Sequence, residues 1–350
     1  MLTQATRVGL LLLGLTVALA TASAGEDKPN PAPKAGQWRA LHLLGYNTDK
    51  DLETLGGQVP KLAELGLNVL ILEVDYHFQF EAYPKLRDGK TPITPEGAGK
   101  FAGICRKHGI RLIPEFQCLG HQSWKEHTFP LLTVYPEFDL TPDAFPKNKD
   151  IYCREWDPLN PKVNEVVFKL LDEIIDAFKA DALHVGMDEV FLLGSEQSPS
   201  TKGKDPAKVF AQAVKDLHQH VVKDRKIEML MWSDRLFDAK KYKWGKWEAS
   251  DYGTAPAVDL IPTDIILCPW HYELMESYPD IPMFVEKGFR VLPASKSKLD
   301  AMKALMQCSA KVDSPKMLGH LFTTWSGKID AVAEYKPMVE GMKVLKGMEK

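Results

Sequence analysis

Ala182-Leu183-His184-Val185-Gly186-Met187-Asp188-Glu189 is the stretch that decides how this chain is built. Its first half is almost wholly apolar and does not alternate, as in a parallel strand covered on both faces. It then meets a glycine and closes on two adjacent carboxylates. Neighbouring residues on an extended segment point opposite ways. Both acids can therefore approach one ligand only if the chain turns off the strand end. Gly186 suits that turn, because it lets the backbone and a ligand come close. Two carboxylates so near each other repel, and the pKa of one is expected to rise. A carboxylic acid kept protonated near neutral pH can donate a proton to a leaving oxygen.

Seven similar runs flank this one, at about 39–45, 68–75, 111–116, 229–233, 265–270, 290–294 and 318–323. Stretches with helical spacing lie between them. Leu52, Leu55, Val59, Leu62 and Leu65 share one face, closed by Gly66. Phe101, Ile104 and Cys105 mark the next helix. Val163, Val167, Leu170, Leu171, Ile174 and Phe178 make the clearest one, opened by Asn160-Pro161. Val209, Ala213, Leu217 and Val221 repeat the pattern, and weaker signals follow near 239–242, 281–286, 299–306 and 335–345. Strand followed by helix, eight times over, predicts right-handed crossovers and a parallel sheet. The expected fold class is α/β, a single (β/α)8 TIM barrel over residues 38–350, with an open doubly wound sheet as the alternative. No glycine-rich phosphate loop favours the open sheet.

The chain has 350 residues, of which 45% are hydrophobic and 26% charged, with a net charge of -3. That excludes a disordered protein, and the unperiodic scatter of 24 Gly and 24 Pro excludes a fibrous repeat. Near-balanced charge leaves no field to hold a nucleic acid. Residues 1–24 are expected to be a signal peptide. Arg7 is the only charge there, the apolar run from Val8 to Ala20 is short of the roughly 20 residues a span needs, and Ala22-Ser23-Ala24 has the small-x-small pattern of a cleavage site. Residues 25–37 are expected to be a flexible linker. The expectation is thus an exported protein, periplasmic or secreted, with no membrane attachment after cleavage. Five cysteines follow, none at metal-type spacing.

Barrel active sites lie at the carboxyl ends of the strands. Polar and aromatic residues do gather just after the runs: Glu73 and Asp75, Glu115 and His121, Asp188 and Glu189, Trp232 and Asp234, Trp270 with Tyr272, Ser295 and Lys296, and Trp325. Three tryptophans at one end suit sugar rings, whose C–H faces are apolar. The basic, aromatic stretch 240–247 reads as a solvated loop, in which Trp244 or Trp247 could stack on an outer sugar.

These motifs together resemble glycoside hydrolase family 20, the β-N-acetylhexosaminidases. His184 to Glu189 fit that family's H-x-G-x-D-E acid motif. Ile113-Pro114-Glu115-Phe116 with Leu119-Gly120-His121, Met231-Trp232-Ser233-Asp234, Pro269-Trp270-His271-Tyr272-Glu273 and Thr323-Thr324-Trp325 are similar to its other strand-end signatures. Leu67 to Glu73 and Trp156 to Pro161 resemble in particular the hexosaminidase D-like branch. The resemblance implies removal of terminal β-linked N-acetylhexosamine from a glycan, with the sugar's own acetamido oxygen attacking C1. It implies catalytic roles for Glu189, the acid and then base, and for Asp188, which would orient the acetamido group. Tyr272 would bond the acetamido oxygen, and Trp232, Trp270 and Trp325 would wall its pocket. Asp234, Glu73, Asp75, His121 and Glu115 complete the expected substrate-binding set. No metal and no organic cofactor is implied. Two departures stand out: strand one ends in Leu43-Leu44-Gly45-Tyr46 without the usual Arg, and Trp325-Ser326-Gly327 lacks the usual Glu. Those departures keep two alternatives open, a non-catalytic carbohydrate-binding barrel, or a glycosidase pairing Glu189 with a separate carboxylate such as Glu73 or Glu115.

Overall fold

The structure is a computed structural model that describes residues 28–124, 127–144, 151–325 and 327–348. The expected signal peptide, and the first residues of the expected linker, lie outside the described residues. Eight parallel strands form the barrel: β1 (Trp38–Leu43), β2 (Val69–Glu73), β3 (Arg111–Cys118), β4 (Ala182–Gly186), β5 (Glu228–Trp232), β6 (Ile266–Cys268), β7 (Arg290–Val291 and Ala294–Ser295) and β8 (Gly319–Thr323). The first half of β7 pairs with β6 and the second half with β8, so the sheet closes on itself. The break falls at Leu292-Pro293, where proline has no N–H to give; the Pro293 carbonyl still accepts from Leu321.

Alternation along each strand sorts side chains into two cores. Trp38, Ala40, Val69, Ile71, Ile113, Leu230, Ile266 and Leu321 fill the barrel interior. Leu41, Leu70, Leu72, Leu183, Val185, Met229 and Phe322 face outward and pack in the larger core with the helices. The helix Pro161–Phe178 shows why these segments coil where they do. Asn160 accepts from Lys162 N–H, Pro161 needs no N–H in the first turn, and eight apolar residues fill the buried face. The first expected helix is interrupted instead of continuous, running Asp49–Gly56 and then Val59–Leu65. Pro60 opens the second piece, and its missing donor explains the interruption. Among the described residues no helix is long and apolar enough to cross a membrane. All five cysteines are unbridged, and all but Cys308 are buried.

The seam between β8 and β1 is tightly closed by backbone. Gly319 lies opposite Trp38 with φ +148, and a Cβ there would sit 2.0 Å from the Trp38 carbonyl oxygen. That obstacle is backbone, so it cannot swing aside. Gly319→Ala is therefore expected to destabilise the fold by about 2–3 kcal/mol, read as a lower urea midpoint at unchanged slope; an unchanged midpoint would show that the seam relaxes freely.

Candidate active site

The strands deliver their last inward-facing residues to a cavity of about 540 Å³ at the carboxyl end of the barrel. Both acids of the 188–189 pair line it. Gly186 and Met187 take left-handed φ values of 63 and 75, which turns the chain off β4, and Glu189 follows at 52. The turn is closely fitted, since a Cβ on Gly186 would fall 1.6 Å from Gln117 Oε1. Gln117, from the end of β3, donates to Asp188 Oδ1 at 3.0 Å, while its own backbone N–H donates to Asp75 Oδ1 at 2.8 Å. His121 Nε2 lies 3.3 Å from Asp188 Oδ2 and 3.2 Å from Glu189 Oε2. The Glu189 backbone N–H donates to Asp234 Oδ2 at 3.0 Å.

Of the expected set, Glu73, Asp75, His121, Trp270, Tyr272 and Trp325 also line this cavity. Trp270 stacks against Tyr272 at 5.0 Å between ring centroids, and the Trp325 indole N–H donates to the Tyr272 hydroxyl. Tyr272 is set from behind, its N–H donating to Glu248 Oε1, while His271 links Glu248 to Asp280.

Three expected contacts lie behind the wall instead. Trp232 is the last residue of β5, so alternation turns it inward beneath the cavity floor, fully buried, with its indole N–H donating to Glu115 Oε1. Glu115 is fully buried with it, met by His42 at 2.7 Å and His184 at 3.1 Å. Asp234 sits in a one-turn helix after β5, where it holds Glu189 N–H, Arg235 and the Trp270 indole. All three stand behind the residues that line the cavity and orient them. Leu44, Gln117, Trp124, Phe129, Tyr152 and Lys296 line the cavity in addition. Only Lys296 carried a signal, its place just after β7. Trp124, Phe129 and Tyr152 come from the long excursion between β3 and β4, which has no period to read.

Crowding makes these acids unlike one another. Burial and the neighbouring Asp75 and Glu115 push Glu73 well above the usual carboxylate range. Burial likewise raises Asp75 to about 7, against the opposing bond from Gln117. Asp234 rises to about 6 through burial, tempered by Arg235. Glu115 goes the other way: burial opposes its charge, but His184 and His42 together hold it far below the usual range. The expected rise within the 188–189 pair does not fall on Asp188. Its burial is outweighed by His121, and its pKa is lowered. His121 in turn is raised well above an ordinary histidine, because Asp188 overcomes the cost of burial.

Two clusters have three ligand-type atoms within 4.8 Å of one another, His42–Glu73–Glu115 and His121–Asp188–Glu189. In the second the protonated His121 already supplies the positive charge and has no lone pair free at Nε2. In the first, Glu115 is already met by two imidazoles and an indole. Neither donor set favours a metal.

Residues 78–339 match the family model for the glycosyl hydrolase family 20 catalytic domain. A beta-hexosaminidase from Emericella nidulans is 25% identical over 253 residues, covering 68% of this chain and 39% of the relative. Hexosaminidase D from Bos taurus is 24% identical over 213 residues, covering 57% and 56%. The chain thus spans between 39% and 56% of the length of these relatives. Among solved structures, the chitobiase of Flavobacterium johnsoniae superposes with a TM-score of 0.61 over 90% of this chain and 52% of that one, at 17% identity, a likeness of fold.

The raised Asp75 has a consequence for stability. A carboxyl whose folded pKa lies at about 7, above its ordinary 3.8, binds its proton more tightly folded than unfolded. Stability is therefore lost as pH climbs from about 4 through about 7. Asp75→Asn keeps an acceptor for Gln117 and removes the charge. It is expected to raise stability over wild type at pH 8 by on the order of 1–2 kcal/mol and to have little effect at pH 4, measured as urea midpoints at both pH values. An equal effect at both would contradict the assignment.

Proposed function

The chain belongs to glycosyl hydrolase family 20, and from that footing we propose that it is a β-N-acetylhexosaminidase cleaving terminal N-acetylglucosamine or N-acetylgalactosamine from glycans with the substrate's acetamido group as nucleophile. The observation that carries the reading is one cavity lined both by Asp188 and Glu189 and by Trp270, Tyr272 and Trp325. In this reading the acids face the sugar's reacting carbon and the aromatic residues take its 2-acetamido arm.

The chemistry then divides among named side chains. Protonated Glu189 gives its proton to the glycosidic oxygen as the bond from C1 to that oxygen breaks. The acetamido carbonyl oxygen forms a new bond to C1 from the opposite face. Positive charge spreads over the resulting oxazolinium ring. Asp188, kept ionised by His121 and oriented by Gln117, accepts from the acetamido N–H and offsets that charge. An indole N–H is only a donor, so the Tyr272 oxygen accepts from Trp325, and its own hydrogen, with the Thr323 hydroxyl also beside it, is assigned to the acetamido oxygen when substrate binds. Trp270 and Trp325 confine the arm near attack geometry. Water next attacks C1, Glu189 takes its proton, and the bond to the acetamido oxygen breaks. Two inversions leave the configuration retained. Each proton in the sequence moves between Glu189, substrate and water, and no cofactor enters the scheme.

Glu73 and Asp75 stand on the side of the cavity where the expected Arg is missing, and we assign them to the sugar hydroxyls. Export, to periplasm or medium, is part of the proposal and is supported by the sequence pattern of residues 1–24 alone.

The direct test is hydrolysis of chromogenic N-acetyl-β-glucosaminide and N-acetyl-β-galactosaminide. Wild type is expected to cleave at least one, and Glu189→Gln to lose about 10²–10⁴-fold in kcat, since an amide cannot protonate the leaving oxygen. Turnover of neither epimer by wild type, or undiminished turnover by the variant, would contradict the reading. Asp188→Asn, which keeps the shape and removes the charge, is expected to lower kcat with little change in KM; a rise in KM alone would move Asp188 from stabilising charge to holding substrate.

A further inference from the structure

Among the described residues the exposed aromatic side chains are Trp124, Tyr152, Trp247 and Tyr252, and all four belong to one wall. Trp124 and Tyr152 line the cavity. From there the wall leads away from it. Tyr152 meets Trp247 at 4.8 Å between ring centroids, Trp247 meets the buried Phe191 at 5.6 Å, and Phe191 meets Tyr252 at 5.2 Å. These residues come from three different loops at the carboxyl end of the barrel, after β3, β4 and β5. Four aromatic rings left 37–46% exposed in one contiguous surface are not explained by core packing.

We propose that this wall is a platform for the leaving portion of the substrate, with Tyr152 under the first pyranose ring beyond the scissile oxygen and Trp247 under the next. The natural substrate is then a β-linked oligosaccharide and not a simple glycoside with a short aglycone. The inference rests on the hydrolase reading above and adds to it a direction and a substrate class. The acid that protonates a glycosidic oxygen must face the leaving group. Cys153, next to Tyr152, meets the Glu189 carbonyl at 3.6 Å, and Glu189 and the Tyr152 ring both flank His121, so the departing chain leaves beside Tyr152, along the side on which the aromatic surface continues. Pyranose rings present apolar C–H faces, and such faces lie well on exposed indole and phenol rings.

A second arrangement ties the wall to the chemistry. Arg235, fully buried, donates through Nε to Asp234 Oδ2 and through Nη2 to the carbonyl oxygens of Lys246 and Trp247, at 2.7 and 2.8 Å. The same Asp234 oxygen holds the Glu189 backbone N–H. Arg235 also lies over the Phe191 ring at 4.8 Å. One Asp–Arg pair thus sets both the proton donor and the loop that carries Trp247. A platform held in register with the acid binds without the cost of ordering a loose loop.

The experiment compares two substrates, a β-1,4-linked tetramer of N-acetylglucosamine and methyl N-acetyl-β-glucosaminide, whose aglycone is too short to reach Trp247. Wild type is expected to show a higher kcat/KM on the tetramer. Trp247→Ala is expected to lose about tenfold on the tetramer, mostly in KM, and to stay within about twofold on the methyl glycoside, which also reports that the variant is folded. Trp247→Phe, which keeps an aromatic face, should recover most of the loss. Equal losses on both substrates, no loss on either, or a wild type with no preference for the tetramer would overturn the platform while leaving the activity standing. A wild type that cleaves neither these nor the chromogenic glycosides would overturn the activity, and the platform with it.

Discussion

His121 stands between Asp188 and Glu189 with Nε2 within 3.3 Å of each, and the mouth of the barrel depends on that contact. Six carboxyl groups, those of Glu73, Asp75, Glu115, Asp188, Glu189 and Asp234, converge there. Two like charges 4 Å apart cost about 4 kcal/mol at the effective dielectric of a protein surface, so six ionised acids together would consume most of a domain's stability. The fold answers with a different device for each. His121 offsets the 188–189 pair, His42 and His184 offset Glu115, and Arg235 offsets Asp234. Glu73 has only the more distant His42, at 3.9 Å and already engaged by Glu115, and it and Asp75 are pushed toward their neutral forms. Chemically equivalent carboxyls thereby acquire unequal tendencies, with the pKa lowered beneath the floor at Glu115 and at the wall at Asp188, and raised toward the neutral form at Glu73 and Asp75.

The barrel makes this concentration possible, and the backbone shows what it takes. Among the described residues nine non-glycine side chains sit at positive φ, and six of them, Asp75, Leu119, His121, Met187, Glu189 and Trp325, stand at the mouth. Each such conformation costs on the order of 1 kcal/mol or more and persists where the surroundings over-determine it. Gln117, Asp234 and Glu155 do so at this end, the last by accepting from the N–H groups of Phe191 and Leu192 at 2.6 and 2.8 Å. The loops are thus fastened to the strands by buried polar side chains, which fits a site that must hold two reacting groups in fixed relation.

Much of this was legible in the sequence, for reasons that particular residues make plain. The eight apolar runs all became strands, because buried parallel strands tolerate little else. Glu73 and Asp75 at the end of β2, and Asp188 and Glu189 after β4, reached one end of the barrel, as their chain positions required. Parity was harder to read. Trp232 and Glu115 look like strand-end residues in the sequence, yet each is still inside its strand and turned inward, below the cavity. His42 was hidden in an apolar run, although it holds Glu115. The lowered pKa of Asp188 was missed because repulsion from Glu189 can be read from adjacency, whereas attraction from His121 requires the fold. Trp124 and Tyr152 lie in the excursion between β3 and β4, where no periodic signal exists and position follows only from tertiary contacts.

At the centre of the proposed mechanism stands a nucleophile that belongs to the substrate. The most direct measurement is the rate on aryl glycosides whose acetamido methyl carries none, one, two or three fluorines. Each fluorine draws electron density from the carbonyl oxygen while changing the arm's size little. If that oxygen attacks C1, kcat/KM falls steeply and steadily across the series, by orders of magnitude in all. A flat series, with hydrolysis undiminished at three fluorines, would mean that a protein carboxylate or water makes the attack, and the roles assigned to Asp188, Tyr272 and the tryptophan walls would fail.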